Sequence, residues 1–287
     1  MKIVTDSAAD LTPEDITSLG IDVAPLYIQF PDGEVRSEDI THDEFYRRLE
    51  NMQPKIPTTA QASADGFVKI YEKLLAASEE VLSVHISSGL SGTVDAARSG
   101  AAKLGSKAIH IVDSLTLSGE QRFQVLAAAR AIQAGWPVDA IRTQLDKIRA
   151  ASEVIYTLDT LSYLARGGRI GRVQALASSL LDIKPIITVE KSDGKYNTVG
   201  KSRTLGRALD EMGRYLEKRY SSQLPMWISV MHGKFGEKAS QMAEILQRNL
   251  NVAKLEILRI SPVLGVHTGP GIVGAAVMPM ELMEEIR

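Results

Sequence analysis

Val81-Leu82-Ser83-Val84-His85-Ile86 runs into Ser87-Ser88-Gly89-Leu90-Ser91-Gly92-Thr93 and then into Val94. The first six residues read as a buried strand, and the stretch from Val94 onward reads as a helix. A glycine-spaced loop with three serines and a threonine therefore joins a strand's C-terminal end to a helix N-terminus. Such a junction attracts anions, because free backbone N–H groups and the positive end of the helix dipole face the same point. Its glycines let the backbone approach closely, and its hydroxyls donate without adding charge. The reading is a pocket for one small acidic group.

Upstream and downstream of that junction, candidate strands at 2–5, 23–30, 81–87 and 108–113 alternate with amphipathic stretches, the pattern of parallel α/β layers. Thr12-Pro13 places an N-cap before a proline at the first helical position, and Thr41 with Glu44 and Ser118 with Gln121 read as capping boxes. Pro31-Asp32-Gly33 reads as a turn that folds 23–30 back toward the stretch from Glu34 onward. After Gly135-Trp136-Pro137 and a helix over 138–150 the character changes. Strands are expected at 154–158, 184–190, 196–201, 226–231, 254–260 and 271–278, helices at 205–220 and 237–250, and a hairpin turn at Ser192-Asp193-Gly194. The expectation is an α/β protein of two domains, 1–150 and 151–287.

At 287 residues and 44% apolar content the chain supports a substantial core. Its 33 Lys and Arg against 35 Asp and Glu give no basic field for nucleic acid. With no cysteine there is neither disulfide framework nor thiolate chemistry, and His42, His85, His110, His232 and His267 form no metal-binding motif. The start turns polar after three residues, and no apolar run approaches 18 residues. A soluble, cytoplasmic protein without metal, nucleic acid or integral membrane association is expected.

Gly89-Leu90-Ser91-Gly92-Thr93 is one residue from the G-x-S-x-G elbow of serine hydrolases, with Thr93 where the last glycine belongs. Asp113, Asp159 or Asp182 with His267 would complete a Ser, Asp, His order, so a serine esterase using Ser91 and His267 is the alternative reading. That order is cheap in a long chain, and a ligand-binding hydroxyl at Ser91 is preferred. Thr58 and Thr59 read as loop residues after Pro57, with Ser63 capping a helix from about Ala64. His267 reads as held in a constrained loop among Gly265, Gly269 and Gly271, able to donate to a carboxylate or phosphate. Gly200-Lys201-Ser202 is no P-loop, since Lys195 stands where its first glycine belongs. Arg166 and Arg172 read as solvated, whereas Arg169 and Arg203 remain candidates for an anionic contact. Asp6-Ser7 and Asp113-Ser114 read as loop and cap geometry at strand ends.

Thr5 to Leu11, Pro57 to Ser63, Ile86 to Thr93, Asp113-Ser114 with Ser118, Leu164 to Ile170, Lys184-Pro185-Ile186, Arg203 and His267 to Gly271 occur in the order that resembles the DegV family of bacterial fatty acid-binding proteins. The resemblance implies an N-terminal parallel-sheet α/β domain, a C-terminal α/β domain with a mixed sheet, and a fatty acid between them in a buried tunnel. It implies a carboxylate held by Thr59 or Thr58 and by Ser91, with Gly92 in the same loop and His267 nearby. Members serve as the lipid-binding, non-catalytic subunit of a fatty acid kinase, whose separate ATP-binding partner phosphorylates the bound acid. Arg169 and Arg203 resemble the surface arginines turned toward that partner, and no cofactor beyond the fatty acid is implied. Ser118-Gly119-Glu120-Gln121-Arg122 departs from the family's usual glycines, and Glu120 and Arg122 are expected to narrow or reroute that side of the tunnel.

Overall fold

The computed structural model describes residues 1–173 and 183–286. A parallel sheet in the order β2-β1-β6-β7 is built from β1 (Lys2–Asp6), β2 (Ile21–Ala24), β6 (Val81–His85) and β7 (Ile109–Asp113). A small antiparallel sheet holds β3 (Leu26–Phe30) between β4 (Gly33–Arg36) and β5 (Thr58–Gln61). The third sheet, in the order β10-β9-β8-β13-β11-β12, contains β8 (Glu153–Leu158), β9 (Lys184–Val189), β10 (Tyr196–Ser202), β11 (Met226–His232), β12 (Val252–Arg259) and β13 (Ile272–Pro279). Within it β11 pairs parallel with β12 and antiparallel with β13. The architecture is thus α/β, with a parallel N-terminal sheet and a mixed C-terminal one.

Three expectations about strands and loops are corrected. Residues 23–30 are not one strand: Pro25 separates β2, which pairs with β1, from β3, which pairs in the other sheet. Proline has no N–H for a ladder and fixes φ, so the chain leaves one sheet there and enters the next. Thr58 and Thr59 lie in β5 rather than in a loop. Four residues after a proline give too little alternation to announce a strand, yet β-branched side chains suit one. His267 belongs to the helix Pro262–Thr268, whose start is set by Pro262 at its first turn. Only the end of that segment is a constrained turn, where Gly269 takes φ 73° with the Tyr163 ring pressed against its Cα.

The helix Ser118–Gln133 is buried along most of its length because it packs on β1 and β6 of one sheet and on β8, β11 and β13 of another. Its start is no capping box. Ser118 has φ 56° and donates from Oγ to Asp10 Oδ2 at 2.5 Å, while Gln121 Nε2 reaches Thr5 Oγ1 and Asp6 Oδ1, each at 3.2 Å. Glu120 and Arg122 line neither the cavity at Ser91 nor the apolar cavity at Tyr156. Glu120 accepts from Thr116 Oγ1 at 2.7 Å and from Ser152 Oγ at 2.8 Å, and it pairs with Lys191. Arg122, 3% exposed, donates from Nε to Asp15 Oδ2 at 2.8 Å and pairs with Glu256, which also accepts from Trp227 Nε1 at 3.0 Å. Buried charges that are paired and hydrogen-bonded are tolerated, and these two join elements before residue 122 to the six-stranded sheet.

Residue 150 lies in the helix Val138–Ala151, directly ahead of β8. Leu26, Ile28 and Phe30 of the small sheet share one apolar core with Val154, Tyr156, Leu158 and Val266. That core carries the candidate site at its edge.

Candidate functional site

The loop after β6 is fixed from below by two aspartates at strand ends. Asp6 Oδ2 accepts from Ile86 N at 2.9 Å and meets His85 Nδ1 at 2.9 Å, and His85 Nε2 continues to Ser83 Oγ at 2.6 Å. These groups are fully buried, so the chain of polar contacts is a brace rather than a site. Asp113 Oδ1 accepts from Ser88 N at 3.2 Å and Leu115 N at 3.0 Å. Both therefore perform the loop-setting role read from the sequence. Ser87 Oγ donates to Gly194 O at 2.8 Å, which pins the loop to the turn between β9 and β10.

Above this brace Ser91, Thr59, His267, Arg169, Tyr196 and Leu264 surround a cavity of about 40 Å³. Gly92 is the N-cap of the helix Thr93–Leu104 and has no side chain to fill the backbone's approach. Ser91 Oγ lies 2.8 Å from Thr93 Oγ1, and Thr59 Oγ1 lies 2.9 Å from His267 Nε2. Strand alternation sends the neighbouring threonine the other way. Thr58 is exposed, donates to Gln29 Oε1 at 2.9 Å and does not line the cavity.

Burial, reinforced by the Arg169 charge, pulls the His267 pKa down from 6.5 to about 4, so the ring is neutral at neutral pH. Among the described residues its Nδ1 is buried without a hydrogen-bond partner. A Cβ at Gly167 would collide with that nitrogen, so only glycine leaves room for the ring. Placing the single imidazole proton on Nδ1 would strand a buried donor, whereas placing it on Nε2 lets it donate to Thr59 Oγ1. Thr59 then has its own hydroxyl proton free for an acceptor in the cavity. Hydroxyls, a neutral imidazole and one cation at the edge suit a single carboxylate.

The elbow-like arrangement of the alternative reading is not assembled. His267 Nε2 meets Thr59 rather than Ser91, and no carboxylate meets its Nδ1 among the described residues. Asp113 is engaged by its loop, Asp159 pairs with Lys184 at 2.6 Å, and Asp182 lies outside the described residues.

Arg169 is exposed and donates to Gly167 O at 2.8 Å, placing it at the cavity mouth. Arg203 is exposed just ahead of the helix Leu205–Arg219 and does not line the cavity. Of the surface arginines, Arg166 donates to Gln53 Oε1 at 3.1 Å and Arg172 pairs with Asp193.

A second cavity, of about 30 Å³, lies deeper and is lined by Leu117, Val154, Tyr156, Met231 and Ile260, with Leu264 common to both. The rings of Tyr156 and Tyr196 meet edge to face with centroids 5.8 Å apart, one ring on each cavity. Sequence reading missed Tyr196, Leu264 and the whole deep cavity. An aromatic opening a strand and a leucine in a helix are ordinary core residues, so nothing local marks them.

The sequence model of the DegV family, described as uncharacterised proteins, matches residues 1–280. The chain belongs to the DegV family. A DegV domain-containing protein of Deinococcus radiodurans is 33% identical over 280 residues, covering 97% of this chain and 98% of the relative. Among solved structures, a DegV family protein of Thermus thermophilus described by its fatty acid binding has a TM-score of 0.90 at 29% identity, covering 97% of this chain and 99% of that one. DegV of Bacillus subtilis, described as a fatty acid binding protein, has a TM-score of 0.86 at 28% identity over 96% of this chain and 98% of that one. Among the described residues of this DegV family member, no three His, Asp or Glu side chains gather to hold a metal ion. None of the described helices is long and apolar enough to cross a membrane.

Proposed function

We propose that this chain binds a long-chain fatty acid, with Thr59, Ser91 and His267 at the carboxylate and the acyl chain running toward the deep apolar cavity. The observation that carries the reading is the meeting of two cavities across one side chain, Leu264: one of mixed lining that holds Thr59, Ser91 and His267, the other apolar. The fatty acid binding named for the Thermus and Bacillus structures supports it. As they stand, cavities of about 40 and 30 Å³ hold a few waters at most. Entry of an acyl chain therefore requires Leu264 and the Tyr156 and Tyr196 rings to swing aside.

Burying about 14 to 16 methylenes at roughly 0.8 kcal/mol each gives on the order of 11 to 13 kcal/mol before the costs of association. The head group then needs only to be oriented and kept hydrogen-bonded. Neutral donors do this without the grip of a bidentate arginine, which leaves the carboxylate free to react. That suits a carrier presenting its carboxylate to an ATP-dependent kinase subunit for acyl phosphate formation, with Arg169 at the mouth and Arg203 on the surface as contacts for the partner or the incoming phosphoryl group. The kinase step rests on the family resemblance and on the exposure of those two arginines.

The first test is denaturing extraction of the purified protein and mass spectrometry of what is released. A stoichiometric fatty acid is expected. An empty extract, with no uptake of added palmitate or oleate, would overturn the proposal.

A further inference from the structure

Tyr46 Oη, His232 Nδ1, Ser261 Oγ and both Nε and Nη2 of Arg259 are buried polar atoms without a hydrogen-bond partner among the described residues. None of these residues lines the fatty acid cavities. Topology brings them together. His232 ends β11, Arg259 ends β12, and the two are register partners in a parallel pair. Open α/β sheets bind ligands beyond the C-terminal ends of such strands. The Arg259 guanidinium lies 5.6 Å from the Tyr46 ring centroid, and the Tyr46 hydroxyl is 2.8 Å from where a Gly233 Cβ would sit, beside His232. His42, at the start of the helix His42–Asn51, joins Arg259 and Ser261 on a groove of about 300 Å³, which Tyr46 and His232 do not themselves line.

Among the described residues Arg259 uses only one edge of its guanidinium. Its Nη1 donates to Asp43 Oδ1 at 3.1 Å, and that carboxylate is 90% exposed. The remaining edge, Nε with Nη2, is the fork that fits a carboxylate or phosphate with two parallel hydrogen bonds. Leaving charged donors buried without an acceptor is costlier than leaving neutral ones so. Burial first, and then the nearby Arg259 charge, lower the pKa values of His42 and His232, so the positive charge here is that of Arg259 rather than of the imidazoles. Three acids share the groove and are already engaged: Asp6 accepts from Ala8 N and Ile86 N, Asp10 from Ser118 Oγ and Ser261 N, and Glu38 from Ser7 Oγ.

We propose that Arg259, with Tyr46, His232 and Ser261, forms a second ligand site on this protein, for a small oxyanion of the carboxylate or phosphate type. The guanidinium fork takes two oxygens of the ligand, and the two hydroxyls donate to whatever oxygen remains. The groove shares no lining residue with the two cavities assigned to the fatty acid, so binding there is expected to be independent of the lipid.

Calorimetric titration of the whole protein with inorganic phosphate, and separately with acetate, at constant ionic strength tests this. Saturable binding of at least one anion at roughly millimolar concentration is expected. Arg259→Gln is expected to weaken it by about tenfold or more, and Tyr46→Phe, which removes one hydroxyl and keeps the ring, by several-fold. Fatty acid uptake should be unchanged in both variants. Tighter binding of phosphate assigns the site to phosphate-bearing ligands, and tighter binding of acetate assigns it to carboxylates. No saturable binding of either anion overturns the proposal, as does binding that survives both Arg259→Gln and Tyr46→Phe.

Discussion

Thr59 and His267 are 208 residues apart in the chain, yet Thr59 Oγ1 and His267 Nε2 lie 2.9 Å apart. Strand β5 brings one and the helix Pro262–Thr268 brings the other, and the contact fixes which proton the threonine has to offer. With Nε2–H donating to Thr59, the threonine hydroxyl proton is free for an acceptor in the cavity that Ser91 also lines.

Thr59→Val keeps the shape of the side chain and removes the donor. It is expected to weaken fatty acid binding by about tenfold, the worth of one hydrogen bond to a charged group, and to lower the melting temperature as well, because valine leaves His267 Nε2 without its partner at a cost of about 1–3 kcal/mol. Ser91→Ala should act in the same direction, and Thr58→Val, on the opposite face of β5, should leave affinity alone. Calorimetric titration with one fatty acid across the three variants checks this, and equal affinities in all three would remove the carboxylate from this cavity.

The glycine-serine loop was legible because its chemistry is local: a buried strand, spaced glycines and a helix start all lie between Val81 and Val94. Alternation in the parallel sheet and the hairpins at Asp32 and Asp193 were legible for the same reason. Pro25 could have warned that 23–30 crosses between sheets, since proline withholds an N–H from the ladder and is disfavoured in the middle of a strand. The partnership of Thr59 with His267, and of Tyr156 with Tyr196, could not be read, because each depends on a tertiary approach that leaves no periodic trace. Glu120 and Arg122 misled for a related reason. Charged residues in a helix suggest an obstructed cavity until their partners Lys191, Ser152, Asp15 and Glu256 are seen.

His267 and Asp10 should give pH effects of opposite sign. The folded pKa of His267 is lowered from 6.5 to about 4, so between those values the unfolded chain holds a proton that the folded one lacks. Its contribution is complete above pH 6.5 and is lost as pH falls toward 4. Burial, opposed by hydrogen bonds from Ser118 and Ser261, raises Asp10 from 3.8 to about 6. Its contribution is complete below pH 3.8 and is lost as pH rises through 6. Urea unfolding at a series of pH values is expected to show wild type gaining on His267→Gln with rising pH, and losing on Asp10→Asn. Parallel curves for wild type and His267→Gln would mean that the ring titrates normally.

Arg122 should matter to stability and not to ligand choice. Its guanidinium is 3% exposed between Asp15 and Glu256, and truncation strands both carboxylates. Arg122→Ala is expected to lower the unfolding free energy by about 3–5 kcal/mol, while Arg122→Met, which refills the space, should recover part of the loss. The spectrum of acyl chains bound by the folded variant should match wild type, since Arg122 lines neither cavity. A shift toward shorter chains in Arg122→Met would instead place this residue on the acyl path.

Chain length should be set at the far end of the deep cavity. Met231 is 3% exposed and lines it together with Ile260 and Tyr156. Met231→Phe replaces an adaptable side chain by a stiff ring, and each methylene that can no longer be buried forfeits about 0.8 kcal/mol, or roughly fourfold in affinity. The longest acids should therefore lose affinity stepwise with length, while acids short enough to end before Met231 bind as they do to wild type. Leu264→Ala works at the other end, where it removes the wall common to both cavities. It should destabilise the unliganded protein by about 2–5 kcal/mol and speed the uptake of long acids. Stopped-flow uptake and equilibrium titration with a homologous series of saturated acids separate the two effects. A uniform loss across all lengths in Met231→Phe would show that the acyl chain does not end there.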